Sequence, residues 1–390
     1  MIYVDENATT RPSFAAFHAM RTYFFDNWYN PQEPYQPAVI VHEAIEKARK
    51  QCADSIGASP DEIYFTSGAT ESNNWAIKGF AFDRYVKNNF QPITILTDTI
   101  EHHSVLNSIK SLEELRIAKG LYVPVTIDGF VDPSEVLDVI KDHDIQLASV
   151  MLVNNELGSI NDCGLIGEIC KTNKVAFHVD ATQAYGKIPV NVEDLKCDML
   201  SVSAHKVHGV KGVGFLYIRK GFEIAPLISG GQQENGMRAG TENVPGIMAF
   251  GAAAEVINKT SRFLAEHPSM DAMKSNFIRK LKAVCPRIYF NSPMHDCVAN
   301  TVNISFVEYH IKGEELVEWL SQNEIYCSSG SACNSLSDEP SHVLIGIRAS
   351  KEEANSSVRF SFPENITDRD IKKIVSSIKS FVDLRASIAG

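Results

Sequence analysis

At 390 residues the chain is long enough to bury a large core and to divide into two domains. Hydrophobic residues at 44% and charged residues at 22% describe an ordinary globular protein, and a net charge of -11 argues against a broad nucleic-acid footprint. No apolar run reaches the roughly 20 residues of a membrane-spanning helix, and Met1-Ile2-Tyr3-Val4-Asp5 lacks the basic-then-apolar order of a signal peptide, so a cytoplasmic protein without direct nucleic-acid binding is expected.

From about Ile63 to Tyr217, short apolar runs alternate with helix-like stretches. That is the pattern of a mostly parallel sheet covered by helices, an α/β fold. Strands are predicted at Ile63–Phe65, Ile93–Thr97, Leu121–Val125, Leu147–Val153, Val175–Val179, Met199–Val202 and Gly214–Ile218. Helices are predicted at Glu71–Phe82, Ser104–Lys119, Pro133–Lys141, Leu165–Thr172 and Val244–Ile257. Beyond about residue 258 the texture changes to a smaller α+β unit. It holds helices over Ser269–Val284, Gly313–Gln322 and Asp368–Leu384, an apolar pair Tyr289-Phe290, and strand-like segments Thr301–Phe306, Ile325–Cys327 and Ser357–Phe362. The expected division is a large domain over 16–257 and a small one formed by 1–15 and 258–390.

Two segments carry the chemistry. His178-Val179-Asp180 and Ser203-Ala204-His205-Lys206 each follow a strand-like run. An acid and a lysine at the ends of neighbouring strands suit pyridoxal 5'-phosphate (PLP), which needs a Schiff-base lysine at its aldehyde and a carboxylate at its pyridinium nitrogen. Asp180 would keep that nitrogen protonated, and Lys206 would hold the aldehyde and then move protons at the substrate α-carbon. Ser67-Gly68-Ala69-Thr70-Glu71 opens a helix after a strand, a seat for phosphate on backbone N–H groups with the Thr70 hydroxyl beside them. Alone it reads as an ordinary helix cap, and it gains weight only beside Asp180 and Lys206. Ser203 and His205 are within reach of the same phosphate, and Gln183, one helical turn past Asp180, suits the ring hydroxyl. His102 follows a strand and suits stacking on the ring and acid–base work near neutral pH. Adjacent His102 and His103 do not make a metal site, because neighbouring side chains diverge and no third ligand has suitable spacing. Asn155 ends another strand-like run, where it faces either the ring hydroxyl or a substrate carboxylate.

The eight cysteines contain no Cys-x-x-Cys pair, which argues against a zinc ribbon or a disulfide framework. Cys333 stands apart. It sits in Ser328-Ser329-Gly330-Ser331-Ala332-Cys333, where small residues impose little steric restraint on a sulfur nucleophile.

Taken together these segments resemble the NifS/IscS-type cysteine desulfurases of the class V aminotransferase group, fold-type I PLP enzymes. The resemblance runs nearly end to end, through Asp5–Thr10, Thr66–Ser72, Glu101-His102, Val153–Gly158, His178–Gln183, Ser203–Gly209, Gly236–Gly246, Ser328–Cys333, Glu339–Leu344 and Ser356–Phe360. It implies that Lys206 carries PLP, Asp180 pairs with its ring nitrogen and His102 stacks on it. Ala69, Thr70, Ser203 and His205 would hold the phosphate, with Asn155 and Gln183 beside the ring hydroxyl. Thr241 would reach the phosphate of a partner subunit, so a homodimer is implied. Arg359 would grip the carboxylate of L-cysteine, for which Asn155 is a second contact, and Cys333 would take up its sulfur as a persulfide for a sulfur-acceptor protein.

The sequence departs from that pattern in places. Gln232 and Asn235 replace a glycine and an arginine near Thr241, and Glu33-Pro34 and Pro37 stand in a region usually rich in Ser and His. Cys327 reads as a resolving thiol or, better, as a buried strand residue. The IscS-type tail that engages a scaffold protein is expected to be missing after Gly390, which leaves iron–sulfur cluster assembly, tRNA thiolation and DNA phosphorothioation open. The competing readings are a selenocysteine lyase, another class V aminotransferase, and a non-catalytic scaffold.

Overall fold

The structure is a computed structural model and describes residues 1–264, 268–329 and 339–389. Cys333 lies outside the described residues. In chain order the described strands are β1 (Ile2–Tyr3), β2 (Ile63–Thr66), β3 (Ile93–Asp98), β4 (Ala118–Val123), β5 (Leu147–Met151), β6 (Ala176–Asp180), β7 (Met199–Ser203) and β8 (Gly214–Ile218). They continue with β9 (Tyr289–Phe290), β10 (Thr301–Ser305), β11 (Ile325–Tyr326), β12 (Ser328–Ser329) and β13 (Ser357–Ser361).

Seven strands form one sheet in the order β2-β8-β7-β6-β5-β3-β4. Only β8 runs against its neighbours. The fold class expected from the alternating pattern is the one found. Burial explains why these strands read as continuous apolar runs rather than alternating ones. Leu147, Ala176, Met199 and Leu216 pack with the helix His103–Glu114 on one face. Val150, Val179, Val202 and Phe215 pack with the helices Gln36–Asp54 and Val244–Leu264 on the other. Between β5, β6 and β7 runs a buried polar ladder, Ser149 Oγ to His178 Nδ1 at 2.8 Å and His178 Nε2 to Ser201 Oγ at 2.9 Å. Burial pushes the His178 imidazolium down to about 4, so the ring is neutral and satisfied.

A four-stranded antiparallel sheet, β12-β13-β10-β9, and the parallel pair β1-β11 belong to a second apolar cluster. Ile2 and Val4 join Phe277, Val302, Leu316, Phe360 and Ile374 there. The helix His342–Gly346 instead packs through Val343 and Leu344 on the large core.

Several elements differ from the sequence reading. The helix expected over Ser104–Lys119 stops at Glu114, because Arg116 turns left-handed (φ 60°) and Ala118 pairs with Ile93. The helix expected from Glu71 begins at Ala69 and passes through a wider π-type turn over Trp75–Gly79. Two helices, Phe14–Phe25 and Gln36–Asp54, were not anticipated at all. No helix among the described residues is long and apolar enough to cross a membrane.

Candidate active site

The parallel strands end at a common edge, and the loops that follow them enclose a cavity of about 510 Å³. Its lining brings together Ala69, Thr70, His102, Asn155, Asp180, Gln183, Ser203, His205, Lys206 and Arg359, ten of the residues expected from sequence. Thr241 does not line it and is exposed on the same chain.

Asp180 is the last residue of β6. Its Oδ2 accepts from Asn73 Nδ2 at 2.7 Å and its Oδ1 from the Thr182 amide at 2.9 Å. Asn73 was not singled out from sequence, yet it also donates to Ser104 Oγ at 2.8 Å, and so ties the acid to the histidine segment. Its Oδ1 is buried without a partner, as is Thr182 Oγ1.

His102 caps the helix that follows β3. Its Nδ1 accepts from the Ser104 amide at 3.1 Å, which places the remaining ring proton on Nε2. Burial lowers its pKa, with Lys206 and His103 acting the same way and Asp180 against them. A neutral imidazole with an Nε2–H donor therefore borders the cavity. Behind it, Asp98 and Glu101 are both buried carboxyl groups that burial pushes up, Asp98 to about 6. Glu101 Oε1 accepts from the Met151 amide, which anchors the histidine segment to the end of β5.

Lys206 follows β7 on a short 3₁₀ turn, and its Nζ donates to the main-chain oxygens of Asn7 at 2.5 Å and Ala8 at 2.9 Å. His205 donates or accepts at Thr9 Oγ1 (3.1 Å) through Nδ1. Its pKa is pushed down to about 4 by burial, then by Lys206 and Lys211. On the opposite wall Gly68 adopts φ 146°, and Gly214 lies so close that a Cβ there would sit 2.5 Å from Val202 O and 2.7 Å from Gly68 Cα. This close approach sets the Ser67–Thr70 turn against Ser203. Arg238 grips Glu71 through both carboxylate oxygens at 2.9 and 3.2 Å. Burial alone would raise the Glu71 carboxyl, but Arg238 and the Ser67 contacts bring it below its ordinary value.

Arg359 enters from β13. Its Nη1 donates to Asn155 O at 3.0 Å and its Nη2 to Asp5 Oδ1 at 2.9 Å, while Nε is buried without a partner. Cys327 is 8% exposed. Burial and Asp5 raise its thiol pKa, against Arg359, as in a structural rather than a reactive cysteine.

The cavity fits PLP. It offers a carboxylate fixed by two donors, a lysine just past the next strand, a helix start held open by a glycine pair, and orphaned buried polar atoms. A mostly parallel sheet with this constellation at its carboxyl edge defines a fold-type I PLP-dependent enzyme.

Comparison with known proteins narrows this further. Residues 2–374 match the class V aminotransferase family. A cysteine desulfurase IscS of Methanosarcina thermophila is 42% identical over 381 residues, spanning 98% of this chain and 92% of the relative. Among solved structures, a NifS-like protein aligns with a TM-score of 0.89 at 35% identity, covering 98% of this chain and 99% of the other. A structure described as SspA in complex with cysteine aligns with a TM-score of 0.80 at 34% identity, covering 93% and 99%. The chain belongs to the class V aminotransferase family, and PLP is its cofactor.

Proposed function

We infer that this chain is a cysteine desulfurase, which converts L-cysteine to L-alanine and passes the sulfur onward. The observation that carries the reading is the placement of Arg359 and Lys206 on one cavity with Asp180 and His102. Relatives named as cysteine desulfurases cover nearly the whole chain.

PLP, held by Lys206, Asp180, His102, Gln183 and the Ala69–Thr70, Ser203 and His205 phosphate seat, supplies the electron sink for a carbanion at the substrate α-carbon. Arg359 is the carboxylate receptor. Its Nε lacks a partner, and its two terminal nitrogens are braced by Asp5 and Asn155. A planar fork held from behind orients an amino acid better than a lysine would. Lys206 Nζ, on the same cavity, would be the base that accepts the α-proton. His102 Nε2–H borders the same space as a donor. The thiolate of Cys333 then attacks the substrate sulfur. The Cβ–S bond breaks and the S–S bond of a persulfide forms; the electron pair left at Cβ takes a proton, and Lys206 returns a proton to the α-carbon to complete alanine.

The active unit is a homodimer in which Thr241 completes the partner's phosphate seat. Support comes from an exposed aromatic surface on the first helix and the loop after it. Phe14 is 77% exposed, Phe25 82% and Trp28 66%, too much apolar area for a solvated face. Gln32, beyond that loop, donates to Glu242 Oε1 at 2.6 Å, so this surface is continuous with the Thr241 segment. Sedimentation as a monomer at working concentration would remove the dimer from the account. The chain divides into a large domain over 16–257 and a small one from 1–15 and 258–390, a division supported by the separate apolar cluster of the small unit. The sulfur acceptor is a protein of iron–sulfur cluster assembly, tRNA thiolation or DNA phosphorothioation.

The reading is tested by incubating the protein with L-cysteine, measuring alanine, and weighing the Cys333 peptide. Alanine should appear, and the native peptide should gain a single sulfur that reductant removes. Cys333→Ala should abolish sulfide release. A keto acid in place of alanine, or full turnover by Cys333→Ala, would favour an aminotransferase instead.

A further inference from the structure

A second lysine lies behind the first. Lys187 is one helical turn beyond Gln183, and its Nζ donates to Gln183 Oε1 and to Asn7 Oδ1, each at 2.6 Å. Lys206 Nζ donates to the main-chain oxygen of that same Asn7 at 2.5 Å. Two lysines therefore converge on one asparagine, and only one of them has a part in the chemistry described above.

The oxygen and nitrogen ends of an amide side chain are nearly the same size, so its neighbours decide which way it faces. A protonated lysine has donors only. Both carbonyl ends must turn toward Lys187, and both NH₂ ends must turn away. The Asn7 Nδ2 accordingly donates to Asn155 O at 3.1 Å and to Thr301 Oγ1 at 2.9 Å, bracing the residue that also supports Arg359. The Gln183 Nε2 donates to Asn7 O at 2.9 Å, and Gln183 lines the cavity. Were the Gln183 amide reversed, its carbonyl would face the Asn7 carbonyl.

We propose that Lys187 is a positioning residue for the reaction: by holding the carbonyl ends of Asn7 and Gln183, it makes Gln183 present an N–H donor to an anionic ring oxygen of the cofactor. The proposal rests on the PLP reading of the cavity. Lys187 is half-buried, and burial, then Lys206 and Arg359, hold its ammonium well below the ordinary lysine range, against Glu6.

The test is PLP binding to the full-length apoprotein, followed by visible absorbance, in two backgrounds. Lys187→Met is expected to weaken binding about tenfold in the native chain. In a Gln183→Ala chain the same change is expected to cost less than about twofold, because the group it acts through is gone. Equal losses in both backgrounds, or no loss in either, would overturn the proposal. If Lys187→Met does not fold, Lys187→Gln permits the same comparison, since its own amide cannot dictate the direction of the other two. A native chain that binds no PLP would defeat the cofactor reading itself, a result distinct from either.

Discussion

Arg359 shows how little of a functional role a single residue declares. In sequence it is a charge at a strand edge. In the structure it is 5% exposed and braced by Asp5 and Asn155, with one nitrogen left unpartnered. A lysine there would keep the charge and lose the fork. Arg359→Lys is therefore expected to lower kcat/KM for L-cysteine by about 10- to 100-fold, chiefly through KM. An unchanged KM would take Arg359 away from the carboxylate. Lys206 and Asp180 were legible from sequence because PLP chemistry demands those residue types after neighbouring strands. Asn73, Asn7 and Lys187 were not. Amides and lysines serve many turns and surfaces, and only the fold shows that Asn73 reaches Asp180 and that two lysines meet at Asn7.

At the scale of elements, the seven-stranded sheet was readable because each strand is buried on both faces and bounded by turn residues. The helix Phe14–Phe25 escaped notice because most of its aromatic residues face outward, so it lacks the one-sided pattern that marks a helix. The turn after β5 holds a further dependence on packing. Glu156 is buried, accepts from Ser341 Oγ at 2.6 Å, and burial raises its carboxyl from 4.5 to about 7, against Ser341 and Arg359. Between those two values the folded state binds more protons than the unfolded one, so stability falls as pH rises from about 4.5 to about 7. Glu156→Gln keeps the acceptor for Ser341 and cannot ionise. The variant's Tm relative to native is expected to climb between pH 5 and pH 8, by the equivalent of at most about 3 kcal/mol. A constant difference across that range would show that Glu156 does not titrate there.

Over the whole molecule, the cavity belongs to no single element. Asn7 and Ala8 come from the amino-terminal segment, Asp180 and Ser203 from the large sheet, Lys206 from the turn that follows it, and Arg359 from the small sheet. That explains why the site could be listed from sequence residue by residue but not seen as one space, since its parts lie more than 350 positions apart. The central claim is that Lys206, among the lysines at this cavity, carries the cofactor. Borohydride reduction of the PLP-loaded protein followed by peptide mass mapping tests it most directly. The pyridoxyl adduct is expected on Lys206 alone; an adduct on Lys187 or Lys211, or none at all, would contradict the account.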